Sequence, residues 1–456
     1  MQRLLALLGL TAAFALPVRA EIVEQTLPNG MRVIVKTDRR APVVVSQVWY
    51  RAGSMDESYG STGVAHVLEH MMFKGTKEVP AGEFSKRIAA AGGRENAFTS
   101  RDHTAYFQTL RKDRLELALK LEADRMANLV LAPEEFAKEI NVVMEERRMR
   151  TEDSAQAKLY EALMATVFQT HPYRHPVIGW MDDLKSMTVD DARHWYERWY
   201  TPNNATLVVA GDVDPAQVMA WAKQYFGPIP ARPVAERKPQ REPEQIGMKQ
   251  VTVKAPAKQP VVALAWQAPR LADPQADWEP YALEILAGVL DGHASARLNQ
   301  SLVREKRLAT DVGAGYDGIS RGPAMFVADA TPAEGQSVAT VEAALKAEIA
   351  RLVKDGVSET ELNRVKAQVL AGQVFQQDSL FYQAMQIGEW TTAGLDYKAR
   401  DTRYAKLKAV TADQVKAVAA KYLVDDRLTL AVLDPQPMPE GKPEMARNPM
   451  GAGHVR

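Results

Sequence analysis

His66, Glu69 and His70 lie together in the apolar segment Gly63-Val64-Ala65-His66-Val67-Leu68-Glu69-His70-Met71-Met72-Phe73. At about 100° of rotation per residue on a helix, the three share roughly a third of the circumference. Two imidazoles so placed can hold one divalent cation, and the carboxylate between them can take a proton from the cation's water. The order His-x-x-Glu-His reverses the commoner His-Glu-x-x-His zinc pattern. Short His/Glu patterns also arise by chance, and a histidine on an apolar helix face is more often packed than ligating. Context favours the metal reading, because Ser61 or Thr62 can cap a helix here and Gly75 can end it.

A hydrolytic zinc needs a third protein ligand and one open position. Between Pro133 and Arg150, a proline suited to a first turn precedes an apolar face defined by Phe136, Ile140, Val142 and Val143. Glu139 and Glu146 project into that face, seven residues apart and so nearly in line. Burying an unpaired carboxylate is costly, so both should meet a cation or donors inside the fold. The alternative, a surface helix with an acidic edge, fits Glu145, which points away from the apolar stripe.

With these residues the chain resembles the pitrilysin and mitochondrial processing peptidase family of zinc proteases, in its shorter bacterial form. The resemblance is carried by His66-Val67-Leu68-Glu69-His70, with Glu146 76 residues beyond His70 and Glu139 seven before Glu146. Further matching stretches are Leu27-Pro28-Asn29-Gly30, Phe73-Lys74-Gly75-Thr76, Gly92-Gly93-Arg94-Glu95-Asn96-Ala97-Phe98-Thr99-Ser100 and His171-Pro172-Tyr173. It implies that His66, His70 and Glu146 ligate one zinc per chain, that Glu69 is the general base, and that Glu139 orients a ligand. Two neutral imidazoles and one carboxylate leave the zinc net positive, which lowers the pKa of bound water toward about 7 and suits peptide hydrolysis. Sites of this ligand type also accept manganese or cobalt.

The other histidines have weaker company. His171 and His175 are four apart, but Pro172 and Pro176 make a shared helix face improbable. His103 precedes an alternating stretch that reads as a strand, where polar packing is expected. His194, His293 and His454 have no ligand-like neighbours.

Lys plus Arg and Asp plus Glu balance at 57 each, which gives no electrostatic case for nucleic acid or an anionic membrane. At 456 residues and 46% hydrophobic content, the chain can bury more than one core. Residues 1–20 read as a secretory signal, with Arg3, the apolar run Leu4 to Leu16, and a small-x-small site at Val18-Arg19-Ala20. The run is short for an uncleaved anchor, so a periplasmic mature chain without an integral membrane segment is expected. Absence of cysteine excludes disulfides and thiolate ligands without contradicting export.

The chain also echoes itself. Pro42-Val43-Val44-Val45-Ser46-Gln47-Val48-Trp49 is answered by Pro260-Val261-Val262-Ala263-Leu264-Ala265-Trp266, and Ala205–Asp212 by Arg427–Asp434. Gly227 to Gly247, rich in proline and charge, reads as a linker. The expected organisation is a zinc-binding half at 21–226, the linker at 227–247, a second half without the zinc motif at 248–440, and a tail at 441–456. Strands mixed with amphipathic helices predict an α+β fold in each half. The resemblance implies two homologous halves facing each other as a clam shell around a peptide or unfolded polypeptide. It also implies that Asn96, Ala97 and Phe98 lie on an edge strand that pairs with the substrate backbone. The alternative for Asn96 is a plain turn residue beside Gly92-Gly93.

In one place the chain departs from the family. Self-sufficient members carry an arginine and, seven residues on, a tyrosine in the second half, both of which bind substrate. Here Ser301 to Asp311 keeps Arg304, is one residue short, and offers Thr310 at the tyrosine's place, with Tyr316 displaced by about half a strand. The expectation is a zinc-bearing subunit whose homologous partner supplies the arginine–tyrosine pair. A homodimer working without the tyrosine and a non-catalytic assembly subunit are the alternatives.

Overall fold

The computed structural model describes residues 22–234 and 236–438. The expected signal at 1–20 and the tail at 441–456 lie outside the described residues. In the first half, β1 (Ile22–Thr26), β2 (Arg32–Thr37), β3 (Val43–Tyr50), β4 (Arg94–Thr99), β5 (Thr104–Arg111) and β6 (Ala205–Gly211) form one sheet in the order β1-β2-β6-β3-β5-β4. In the second, β7 (Lys249–Pro256), β8 (Val261–Ala268), β9 (Ala309–Tyr316), β10 (Ala324–Pro332) and β11 (Leu428–Gln436) follow the order β7-β11-β8-β10-β9. Apart from β1 the two orders superimpose strand for strand. Each contains one parallel pair, β2 with β6 and β7 with β11, while the other pairings are antiparallel. The two sheet-plus-helix halves and the echo of β3 in β8 follow the sequence expectation.

Neither sheet has a bare face. Along β3, Val44, Val48 and Tyr50 point into the first half's own core, and Val45 and Trp49 point the other way into the second half's core. The first half's own helices include α1 (Val64–Met71), α2 (Glu83–Ala90), α3 (Leu115–Asn128) and α4 (Pro133–Arg147). The opposite face is covered by the helix Leu380–Ala393 of the second half, which packs on β3 and β6. The exchange is mutual. Helix α5 (Ala155–Val167) of the first half lays Leu159, Leu163 and Val167 on Ala263 and Ala265 of β8 and on β11. Burial on both faces is why β3 and β8 read as nearly continuous apolar runs.

At the centre of one crossing stands Gly388, where a Cβ would lie 2.0 Å from the Trp49 indole. Only glycine lets the helix sit that close. Between Tyr225 and Lys249, no helix or strand forms among the described residues, yet this segment is tied down. The Glu242 carboxylate accepts the backbone N–H groups of Thr170 and His171 at 2.9 and 2.7 Å, and Gln245 donates to the Leu428 carbonyl at 2.8 Å. Among the described residues no helix is long and apolar enough to cross a membrane.

Candidate functional site

Helix α1 begins differently from the sequence expectation. Neither Ser61 nor Thr62 caps it, because the Thr62 hydroxyl donates to Asp183 at 2.5 Å and accepts from Trp180 N at 3.0 Å. The cap comes from Glu57, whose carboxylate accepts the N–H groups of Gly63 at 2.8 Å and Ala65 at 2.9 Å. Gly63 is left-handed, at φ 88°, and a Cβ there would meet the Ile178 carbonyl at 2.5 Å, so the start of α1 depends on glycine. The helix ends at Met71, earlier than Gly75, which instead forms a bridge to Pro80. All eight residues of α1 are buried.

Helix α4 packs against α1 and starts at Pro133. Phe136, Ile140 and Val143 are buried, but Val142 is 49% exposed and does not belong to the apolar face. It lies too far round the helix to reach the core. Glu139 and Glu146 are buried, whereas Glu145 is exposed and pairs with Arg148.

The two helices bring one ligand atom each of His66, His70 and Glu146 within 4.8 Å of one another. His70 Nε2 lies 3.3 Å from Glu146 Oε2, and His66 Nε2 lies 3.8 Å from Glu146 Oε1. Tetrahedral zinc with ligand bonds of about 2.0–2.2 Å sets neighbouring ligand atoms about 3.3–3.6 Å apart, so the donor set fits a zinc ion. His70 Nδ1 is engaged by Glu139 Oε1 at 2.8 Å, which turns Nε2 toward the cluster. Burial would raise the Glu139 carboxyl, but His70 and Lys74 outweigh it and hold it down to about 2. Glu146 behaves alike: burial is overcome by His70, His66 and Arg150, and its pKa falls to about 2. Arg150, in the wider π turn that follows α4, contacts Glu146 at 2.8 Å.

Glu69 accepts a 2.5 Å hydrogen bond from Thr99, the last residue of β4. That strand is the edge of its sheet, paired on one side only, with Asn96 opposite Phe107, Ala97 opposite Tyr106 and Phe98 opposite Ala105. Ala97 and Phe98 are buried, so they offer an approaching chain only backbone. Asn96 is half-buried, with its Oδ1 accepting from Ala97 N. Beside this edge a cavity of about 400 Å³ is lined by Phe73, Lys74, Ser85, Glu95, Asn96 and Glu135.

The second half contributes none of the cluster. Arg304 is exposed in the turn Asn299–Glu305. Thr310 is exposed, its hydroxyl donating to the Thr331 carbonyl at 3.4 Å, and the Tyr316 hydroxyl donates to the Pro269 carbonyl at 2.5 Å. Burial raises the Tyr316 phenol above its ordinary range. Two of the remaining histidines pack: His103 sits against Trp49 at 4.7 Å, where burial pushes its pKa down to about 3, and His171 accepts from Tyr173 N, whereas His194 is exposed.

Sequence reasoning missed Thr99, Lys74, Arg150 and Glu57. The first two stand in stretches already singled out, and Arg150 lies one helical turn past Glu146, a spacing that could have marked it.

Residues 32–179 match the family profile described as insulinase (peptidase family M16), and residues 186–369 match that described as peptidase M16 inactive domain. The chain is 33% identical over 349 residues to the zinc protease PqqE of Helicobacter pylori, covering 75% of this chain and 77% of that one. The crystal structure of a protease from Helicobacter pylori superimposes with a TM-score of 0.86 at 29% identity, over 91% of this chain and 100% of that chain. The periplasmic protease PqqL from Escherichia coli shares the fold, with a TM-score of 0.79 at 21% identity, over 92% of this chain and 48% of that chain. Taken with the geometry of α1 and α4, these likenesses support a metalloprotease, and the chain belongs to the insulinase family, peptidase family M16.

Proposed function

We propose that this chain is a zinc-dependent endopeptidase acting on peptides or unfolded polypeptides. The observation that carries the reading is the convergence of His66, His70 and Glu146 beside Glu69, with Glu69 bonded to the edge strand that would receive the substrate. Zinc, when bound, supplies a Lewis acid that polarises the peptide carbonyl and acidifies water. His66 Nε2, His70 Nε2 and Glu146 would hold it. Glu69 takes the proton of the attacking water and returns it to the leaving amine. Thr99 fixes the direction of that carboxylate, and Glu139 fixes the tautomer of His70. The free edge at Asn96, Ala97 and Phe98 pairs with an extended substrate backbone, which favours unfolded chains.

The chain acts after export, as the zinc-bearing member of a pair whose homologous partner supplies the arginine–tyrosine function. Thr310 has no phenol, and the Tyr316 hydroxyl is engaged by the Pro269 carbonyl, which supports a partner as the source of the tyrosine. The PqqL likeness spans 48% of that chain, which leaves room there for a second unit of similar size. The test is hydrolysis of a quenched unstructured peptide library by the chain alone, with zinc content determined on the same sample. Zinc bound without cleavage, restored by adding a homologous subunit, is expected; full cleavage by the isolated chain would replace the paired assembly with a self-sufficient homodimer, and absence of zinc would overturn the enzyme reading.

A further inference from the structure

We propose that Arg321, a residue of the second half, is a positioning residue for helix α1 and for Glu69. The inference rests on the reading of Glu69 given above. Arg321 belongs to the connection between β9 and β10, yet its guanidinium is buried against the first half. Nη1 lies 2.7 Å from Asp56 Oδ2 and Nη2 lies 2.9 Å from Asp56 Oδ1, with both side chains only 4% exposed. Nη1 also donates to the Asp102 carbonyl at 2.8 Å, and the Arg321 backbone N–H donates to Asp102 Oδ2 at 2.9 Å. One side chain therefore joins the segment after β3 to the loop between β4 and β5.

Each of these segments leads to the site within a few residues. Asp56 is followed by Glu57, whose carboxylate caps α1 at Gly63 and Ala65, one turn before His66. The loop containing Asp102 follows Thr99, whose hydroxyl holds Glu69. The segments also bond directly, Ser54 N to the Ser100 carbonyl at 3.1 Å and Met55 N to the Arg101 carbonyl at 3.0 Å. A bidentate guanidinium–carboxylate pair is strict in geometry, and in dry surroundings it has no water to replace it. Removing Arg321 leaves Asp56 its second guanidinium, Arg237 Nε at 2.7 Å. The aspartate keeps a counter-charge, and what is lost is the side-chain bridge that reinforces the two direct backbone bonds between the segments. The geometry of Glu69 relative to the metal ligands is thus set partly from the half that contributes none of them.

Amide hydrogen exchange on the full chain, Arg321→Ala against native, reads the effect without metal or substrate. Exchange is expected to quicken about tenfold or more at residues 54–66 and 99–102, with the helix Ala412–Tyr422 unchanged. Unaltered exchange in the two segments overturns the proposal, and so does equal acceleration over the whole chain, which marks general destabilisation. In the zinc-loaded chain, with the partner subunit present if cleavage needs it, kcat should fall about tenfold to hundredfold while KM stays within about twofold and zinc content is unchanged. A folded, zinc-loaded variant with native kcat overturns it. Arg321→Lys, which keeps the charge but not the paired contacts, should give an intermediate kcat and takes over the test if the alanine variant does not fold. If the native protein holds no zinc or cleaves nothing, the enzyme reading fails, and the exchange result still decides the case of Arg321.

Discussion

His70 Nδ1 and Glu139 Oε1 lie 2.8 Å apart across the α1–α4 contact, although 69 residues separate them in sequence. Glu139 also receives Lys74, so its carboxylate is held from two directions. Losing such a partner to a ligating histidine typically weakens metal binding about 10- to 100-fold. Glu139→Gln should therefore raise the zinc dissociation constant by roughly that factor, measured by chelator competition, while the folded structure persists.

On the proposed reading Glu69 is the base that moves the proton, and His66, His70 and Glu146 are the ligands that hold the metal. Glu69→Gln should bind zinc with native stoichiometry and lose turnover by at least about a thousandfold. Metal analysis and peptide hydrolysis on one preparation check this; retained turnover in the zinc-loaded variant would remove Glu69 from the role of base.

At Gly388 the prediction concerns stability. A Cβ 2.0 Å from the Trp49 indole cannot be accommodated unless the helix Leu380–Ala393 lifts from the first sheet. Gly388→Ala should destabilise the protein by about 3 kcal/mol or more, read from denaturant midpoints, despite alanine's better helix propensity. An unchanged midpoint would mean that the helix does not sit on Trp49.

Lys36 is 6% exposed, and burial, followed by Arg400, lowers its pKa from 10.5 to about 8. The unfolded chain then binds the proton more tightly than the folded one, so at neutral pH the buried charge costs stability. That cost shrinks as pH rises from about 8 toward 10.5. Lys36→Met should be more stable than native at pH 7 by an amount on the order of a few kcal/mol, and the gap should close by about pH 10. Denaturant midpoints at several pH values measure it, and a gap independent of pH would contradict the shift.

The cluster was largely legible because its signals are local. His66 and His70 sit one turn apart, and Glu139 and Glu146 two turns apart, so helical periodicity alone aligns each pair. Both central strands announced themselves as apolar runs. What stayed hidden depends on distant chain meeting distant chain. Glu57 reaches α1 from outside any capping spacing, which is why Ser61 and Thr62 looked better. Val142 resembles its apolar neighbours in type and differs only in direction. Arg321, in a glycine-containing turn, reads like any surface arginine until Asp56 and Asp102 surround it. Nothing in Leu380–Ala393 says that its sheet belongs to the other half.

That crossing of helices bears on how such a chain could have arisen. A gene encoding one half alone would yield a sheet with an uncovered apolar face, and its product could close only by meeting a copy of itself, each supplying the helix the other lacked. Duplication and fusion would then make an association between molecules into one within a molecule, freeing one copy to lose its zinc motif while still covering its sibling. In the descendant each half completes the interior of the other, so either half cut free would expose the apolar sheet face that its sibling's helix now covers.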